Sequence, residues 1–478
     1  MGIKVLLISI LQNSHRNLSI LSLFATLQEN DIAVQVLFIP QKNAYNEQLV
    51  NDFFLAGRFD IVGISVMTDG LDFARQITKN VKSLLPKSLV VWGGIHPTLM
   101  PEECLDYCDC VCVGEGEQVL LSMVKKFSNG ESIAGIPGII IKLPDGRISR
   151  NPLAPLVTIL DTLPFVRYDW NNFYIQDDLG LRRFDTTEYT RYSNYNGEDY
   201  TLMATRSCPF NCSYCCNSYL NKLLETKGRV RKRSVDHVIL ELKYALKTIG
   251  KIQFINFIDD QFLTSKQWTE EFINKYKTEV GLPFIVRLVP ETVDDLTIKQ
   301  LVNAGLRFVQ IGLQSGSEAT HQAIFHRQFN KDKLIESSGI FSQNGVFPIY
   351  DVIIQNDLET DADRDETIKL LLRLKKPFGL TLFALTPYPR TELAEIYKQK
   401  GISSRTDPYG KGYSDYDEGD FYFQLSKIIP DTPHFLSNLI FNNKDKKNWR
   451  YFLNTYYNFY KKRKGRKRTA QNQTKNKG

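Results

Sequence analysis

Long apolar runs are what this chain most plainly lacks. Of its 478 residues 42% are hydrophobic, yet charge breaks every run well short of a membrane span. The opening Met1-Gly2-Ile3-Lys4-Val5-Leu6-Leu7 has a single lysine and no small-residue cleavage site, so it reads as a buried strand rather than a signal peptide. No fourth cysteine or histidine follows Cys208, Cys212 and Cys215 at zinc spacing, which argues against a closed structural zinc site. Acidic residues are missing from 461–478, a segment with nine Lys or Arg. Taking those nine cations from the net charge of +7 leaves about −2, so the body is not basic. The expectation is a solvated, disordered tail that contacts RNA or anionic lipid, or only aids solubility.

Eight cysteines without a signal sequence point to thiolate chemistry in a reducing compartment, expected to be the cytoplasm. Three of them stand in Ala204-Thr-Arg-Ser-Cys208-Pro-Phe-Asn-Cys212-Ser-Tyr-Cys215-Cys216, after the apolar Tyr200-Thr-Leu-Met203. C-x3-C-x2-C on one tight loop can hold three irons of a cubane and leave the fourth open to a small molecule. Ordinary burial is the other reading, since cysteine is among the most buried residue types. Cys104 and Cys108 repeat the first spacing without a third member. Cys108, Cys110 and Cys112 alternate along an expected strand Tyr107–Val113 and would share one face as small hydrophobes.

The length allows two or three domains. Over 1–145 short apolar runs alternate with amphipathic segments: strands at Lys4–Ile10, Ala33–Phe38, Ile61–Val66 and Leu89–Val91, helices at Leu18–Glu29, Ala44–Leu55 and Leu71–Leu85. That is a Rossmann-like α/β pattern of parallel strands with helix crossovers, whose ligands sit at the strands' carboxyl ends. Gly93-Gly94-Ile-His96-Pro-Thr98 and Gly114-Glu115-Gly116-Glu117 fall there, where glycine permits close backbone approach. Residues 146–199 read as a linker. Six further strand–helix units over 200–404 predict a partial (β/α)6 barrel, with active-site groups again at strand ends. These ends carry the cysteine loop, Asp259-Asp260, Arg287, Gln314-Ser315, Asp351 and Thr386. Two adjacent carboxylates are costly to bury unpartnered; on the residues alone they read as a capped helix start. Residues 405–460 are aromatic-rich and include an amphipathic helix at Tyr451–Tyr460.

These motifs together resemble the radical S-adenosylmethionine (SAM) proteins that carry a cobalamin-binding domain. The C-x3-C-x2-C loop with Tyr214 before its last cysteine, the GG-x-HPT and GEGE segments, and the Asp-Asp-x-Phe at 259–262 each match, over about 400 residues. The resemblance implies a [4Fe-4S] cluster on Cys208, Cys212 and Cys215, SAM on the open iron, and cobalamin in the first domain. Around the corrin it places Ser65, Thr68, Gly93, Gly94, His96 and Gly114. Around SAM it places Tyr214, Asp259, Asp260, Arg287, Gln314 and Ser315, with Gln314 standing where the family usually has Glu. The fuller cobalt-ligand motif is only half matched, with His15 in the ligand place. The implied reaction is reductive cleavage of SAM followed by methylation of an unactivated carbon of an unknown substrate, fed by a reductant such as flavodoxin or ferredoxin. The alternatives are a rearrangement, cyclisation or redox reaction without methyl transfer, or a cobalamin-binding sensor.

Overall fold

The structure is a computed structural model. It describes residues 2–11, 17–40, 45–143, 145–193, 197–263 and 265–475, with backbone alone for Leu11 and 465–475. The His15 question lies outside the described residues.

Strands β1 (Lys4–Leu11), β2 (Ala33–Pro40), β3 (Ile61–Ser65), β4 (Leu89–Gly93), β5 (Cys110–Cys112), β6 (Ile139–Lys142), β7 (Ile148–Arg150), β8 (Phe173–Asp177) and β9 (Gly180–Arg183) form one sheet. Their order is β7-β6-β5-β4-β3-β1-β2-β8-β9. The inner strands β5-β4-β3-β1-β2-β8 are parallel, while β6, β7 and β9 join antiparallel. Near-continuous apolar runs such as Val5-Leu6-Leu7-Ile8 make strands covered on both faces. The chain reverses direction across the sheet between β1 and β3, and a crevice opens at such a switch point. The segment read as a linker supplies β7, β8 and β9 to this sheet.

The expected alternation of three cysteines on one face needs correction. Regular strand begins only at Cys110, so Cys108 sits in the preceding turn and packs with Cys104 and Val111. Cys110 and Cys112 point to the opposite core. The Cys108 thiol lies 3.2 Å from the Cys104 carbonyl, and burial pushes the Cys110 thiol well up. These are hydrophobic fillers.

The second sheet runs β10 (Asp199–Leu202), β13 (Phe254–Phe257), β14 (Phe284–Leu288), β15 (Leu306–Gln314), β16 (Phe347–Gln355) and β17 (Gly379–Ala384), all parallel and in sequence order. Between β10 and β13 a small ribbon pairs β11 (Thr205–Arg206) with β12 (Arg231–Lys232). The covering helices start on side-chain caps: Ser234, Ser265, Asp294, Asn330, Thr360 and Thr391 each accept from a backbone N–H of the first turn. Because Ser265 caps the helix Lys266–Glu279, Asp259 and Asp260 are not helix caps. β10 and β17 leave the sheet open, as expected of a partial barrel. One continuous core joins this sheet to one face of the first.

Helices Phe421–Ile428, His434–Asn442 and Lys447–Lys475 follow the barrel. The last buries Leu453 and Tyr457, and its opposite face leaves Tyr451 and Phe459 in solvent. The basic segment expected as a disordered tail continues this helix to Lys475.

Candidate active site

The carboxyl ends of both sheets open on one cavity of about 450 Å³. The first sheet contributes Ser65, Gly93, Gly94 and Gly114; the second contributes Arg206, Cys208, Asn217 and Asp260. On the first side glycines shape the wall. Gly94 has φ +98°, and a Cβ there would lie 3.1 Å from the Val66 carbonyl oxygen. Gly63, midway along β3, keeps a groove open beside Leu7 and the helix residues Leu18, Ile20 and Leu23. Thr68 and His96 do not line the cavity. His96 is fully buried, with Nδ1 3.2 Å from the Thr68 hydroxyl and its ring edge-on to Tyr409. Burial, aided by Arg75, lowers its pKa to about 4, so the ring is neutral.

On the second side β11 leads into the cysteine loop through Ser207, held at φ +76°. Asn221 pins the loop by donating to the carbonyls of Cys208 (2.9 Å) and Phe210 (3.2 Å). Cys208 borders the cavity, Cys212 is buried, and Cys215 immediately precedes the helix Cys216–Leu223. Burial pushes the Cys208 thiol up to about 12 and raises Cys212, with Arg327 opposing the latter. Tyr214 packs edge-on to Phe325, and its hydroxyl accepts from Arg327 at 3.4 Å. Among the described residues no three His, Cys, Asp or Glu side chains converge on a single metal ion. A cubane spreads its thiolates over separate irons, so this donor set suits a cluster and not a lone ion.

The two aspartates face different ways. Asp259 is fully buried; its Oδ1 accepts from both the backbone N–H and the hydroxyl of Thr205 at 2.5 Å, and burial lifts its pKa to about 6. It ties the end of β13 to the base of the cysteine loop. Asp260 lines the cavity and accepts from Asn217 at 3.0 Å; burial raises its pKa, opposed by Arg287 and Asn217. Arg287 donates to the Ile258 carbonyl and to Gln310, which in turn donates to Asp351. Gln314 sits at φ +64° in a β-bulge between β15 and β16. Ser315 turns away from the cavity: its hydroxyl donates to Glu359 at 2.6 Å, and burial raises that carboxyl to about 7.

One element has no signal in the spacing of the motifs. Glu115 and Glu117 of the first domain meet Arg206 and Arg231 of the second. Arg206 reaches Glu117 at 2.5 Å and Glu115 at 3.2 Å; Arg231 reaches Glu115 at 2.7 Å and the Ser207 hydroxyl at 3.4 Å. Ser22 also donates to Glu117, at 2.8 Å. This clasp joins the glycine turn at Gly114 to the residues just before Cys208. Only pairing of opposite charges 89 residues apart could have suggested it.

Two family models match the chain. The B12 binding domain covers residues 3–124 and the Radical SAM superfamily covers 202–371. The chain is similar to an uncharacterized methyltransferase, PH0819, of Pyrococcus horikoshii, at 28% identity over 340 residues, which is 70% of this chain and 69% of that protein. It is also similar to the anaerobic magnesium-protoporphyrin IX monomethyl ester cyclase of Rubrivivax gelatinosus, at 25% identity across 75% of this chain and 62% of that protein. Among solved structures, the radical SAM methyltransferase TsrM of Kitasatospora setae, with cobalamin and a [4Fe-4S] cluster bound, superposes with a TM-score of 0.68 at 18% identity, covering 84% of this chain and 75% of that one. The chain therefore belongs to the radical SAM enzymes that carry a B12-binding domain, with a [4Fe-4S] cluster, SAM and cobalamin as cofactors. Its own residues fit them. The glycine-lined groove at the switch point is a cradle that added Cβ atoms would narrow, and the cysteine loop carries the three thiols Cys208, Cys212 and Cys215 beside the cavity's second wall.

Proposed function

We propose that this enzyme methylates an unactivated carbon of a small substrate admitted to the interdomain cavity. The observation that carries the reading is that cavity itself, in which Gly93 and Gly94 of one domain and Cys208 and Asp260 of the other share a wall. When bound, the cluster with SAM supplies a 5′-deoxyadenosyl radical and cobalamin supplies the methyl group. Everything else falls to the protein. Cys208, Cys212 and Cys215 hold the cluster. Asp260, oriented by Asn217, accepts the SAM ammonium, while Asp259 fixes the loop beneath it. Arg287 offers its remaining donors to a carboxylate, and Gln314 both donates to and accepts from ribose hydroxyls. Ser65, Gly93, Gly94 and Gly114 bound the corrin side. Apolar Leu160, Leu163 and Phe165 help exclude water, which protects a reactive radical.

Similarity to PH0819 supports methyl transfer; the cyclase supports the alternative of a ring-forming reaction on the same scaffold. A soluble electron carrier such as flavodoxin or ferredoxin supplies the electron, in a reducing cytoplasm. Among the described residues no helix is long and apolar enough to cross a membrane. The basic end of the last helix offers a weak contact for RNA or anionic lipid. The test is anaerobic reconstitution with iron, sulfide and hydroxocobalamin, then SAM and dithionite, beside Cys212→Ala. 5′-Deoxyadenosine lost in the variant, with stoichiometric cobalamin retained in the parent, supports the reading. SAM cleavage without cobalamin transfers it to the alternative.

A further inference from the structure

Electrons must reach the cysteine loop from outside, and the surface beside that loop is unusually charged for this protein. The chain leaves the helix Cys216–Leu223 and returns through the short strand β12, which pairs with β11 two residues before Cys208. This returning arm folds over the loop: a Cβ on Gly228 would lie 3.1 Å from the Pro209 carbonyl oxygen. Residues 222–233 hold six Lys or Arg and one acid, Glu225. Two of the cations turn inward, Arg231 onto Glu115 and Arg233 onto Glu241. The other four, Lys222, Lys227, Arg229 and Lys232, are exposed, and among the described residues none has an ion-pair partner. Several exposed lysines of helices elsewhere in the barrel do have one, for example Lys243 with Glu279 and Lys299 with Asp295. Pro209 of the loop is itself exposed, and a surface cleft of about 490 Å³ has Pro209, Phe210 and Lys232 in its wall.

We propose that this arm is the docking surface for an acidic one-electron carrier protein, with Lys227, Arg229 and Lys232 as its main contacts. The inference deepens the proposed function and rests on it to the extent that the electron's destination is the site held by Cys208, Cys212 and Cys215. The carrier is oxidised by one electron, and that site is reduced by one. Three features favour a carrier protein over RNA. The cations stand on the arm that folds over the loop that must accept the electron; all four lie within the eleven residues 222–232; and aromatic side chains for base stacking are missing from the arm. Outside this arm (+5) and the basic last 18 residues (+9) the chain carries about −7, so acidic proteins are repelled by the rest of the body and drawn to the arm. Small, charge-guided interfaces suit electron transfer, which needs fast release as well as fast encounter.

The test uses the reconstituted full chain and the charge-reversed variant Lys227→Glu/Arg229→Glu/Lys232→Glu. None of these side chains touches the cavity. SAM cleavage is driven in parallel by a purified, photoreduced flavodoxin and by dithionite. The variant is expected to lose at least about tenfold in the flavodoxin-driven rate, chiefly through a raised KM for flavodoxin, while the dithionite-driven rate stays within about twofold. In the parent protein the flavodoxin-driven rate falls steeply with added salt, and in the variant it does not. A flavodoxin-driven rate unchanged by charge reversal overturns the proposal. Direct binding of flavodoxin to the parent and the variant, measured without SAM, keeps the test independent of activity. If dithionite drives no cleavage in cluster-loaded parent protein, the proposed function fails, while salt-sensitive binding lost on charge reversal still supports the docking surface. Binding of a structured RNA lost in the variant, with flavodoxin binding unaffected, also overturns it.

Discussion

Replacing Arg206 by Gln tests the interdomain clasp. Glu117 is only 5% exposed, and its ionised partner is the Arg206 guanidinium at 2.5 Å. Burial alone would push the Glu117 carboxyl up; Arg206, with Ser22, overcomes this and holds it below the usual value. Removing one partner of a buried pair costs about 3–5 kcal/mol, because the remaining charge is left uncompensated. The pH dependence carries a sign. In the parent the depressed Glu117 pKa contributes stability that is full above the unfolded value and is lost as pH falls through the folded one. In Arg206→Gln burial, the largest influence, is opposed only by the Ser22 and backbone hydrogen bonds, so the folded pKa rises above the unfolded value and stability is lost as pH rises through it. The gap between the two proteins is therefore widest near pH 7 and narrows toward pH 4. Urea denaturation of both proteins at several pH values measures it. A gap below about 1 kcal/mol at pH 7, or one that does not change with pH, would refute the reasoning. The same variant is expected to retain less cobalamin, since the turn after Gly114 is then held across the domains only by the Arg231–Glu115 pair.

Further outcomes follow from the same geometry. Asp259→Asn keeps an acceptor for Thr205 but removes a carboxyl whose pKa burial raises to about 6. The parent should lose stability relative to this variant as pH climbs through 6, and a constant difference from pH 5 to 8 in thermal melts would contradict it. Glu359→Gln should behave alike around pH 7, since burial raises that carboxyl to about 7 and Ser315 can still donate to the amide oxygen. At Gly93 a Cβ would meet Cys112 Cβ at an ordinary 3.7 Å, so Gly93→Ala should fold with an unchanged melting temperature yet lose at least about tenfold in hydroxocobalamin affinity by spectral titration. Unchanged affinity would remove Gly93 from the corrin wall. Asp260→Asn should raise the SAM dissociation constant by about tenfold or more, since a charged acceptor becomes a neutral one; equilibrium binding to cluster-loaded protein reads it.

Much of the architecture was legible because local patterns and tertiary roles coincide. Val5-Leu6-Leu7-Ile8 reads as a strand covered on both sides, and it is one. The glycines at 93 and 94 and the cysteine spacing carry their meaning in a few residues. What escaped depends on contacts between distant segments. Asp259 and Asp260 look equivalent in sequence, yet the approach of Thr205 claims one and leaves the other to the cavity. Ser315 belongs to Glu359, 44 residues on, and His96 to Thr68. Cys108 was misassigned because strand periodicity was extended two residues past the point where the backbone turns. β8 and β9 were missed because Phe173–Arg183 is a short hairpin whose partner, β2, lies more than 130 residues earlier in the chain.

The central claim is that one cavity serves both the cluster and cobalamin. Its most direct test is to quantify 5′-deoxyadenosine and S-adenosylhomocysteine in the same anaerobic reaction of the doubly loaded enzyme with SAM and reductant. The account predicts both products from the parent, 5′-deoxyadenosine lost in Cys212→Ala, and S-adenosylhomocysteine dependent on added cobalamin. Neither product from folded protein carrying both cofactors would contradict it.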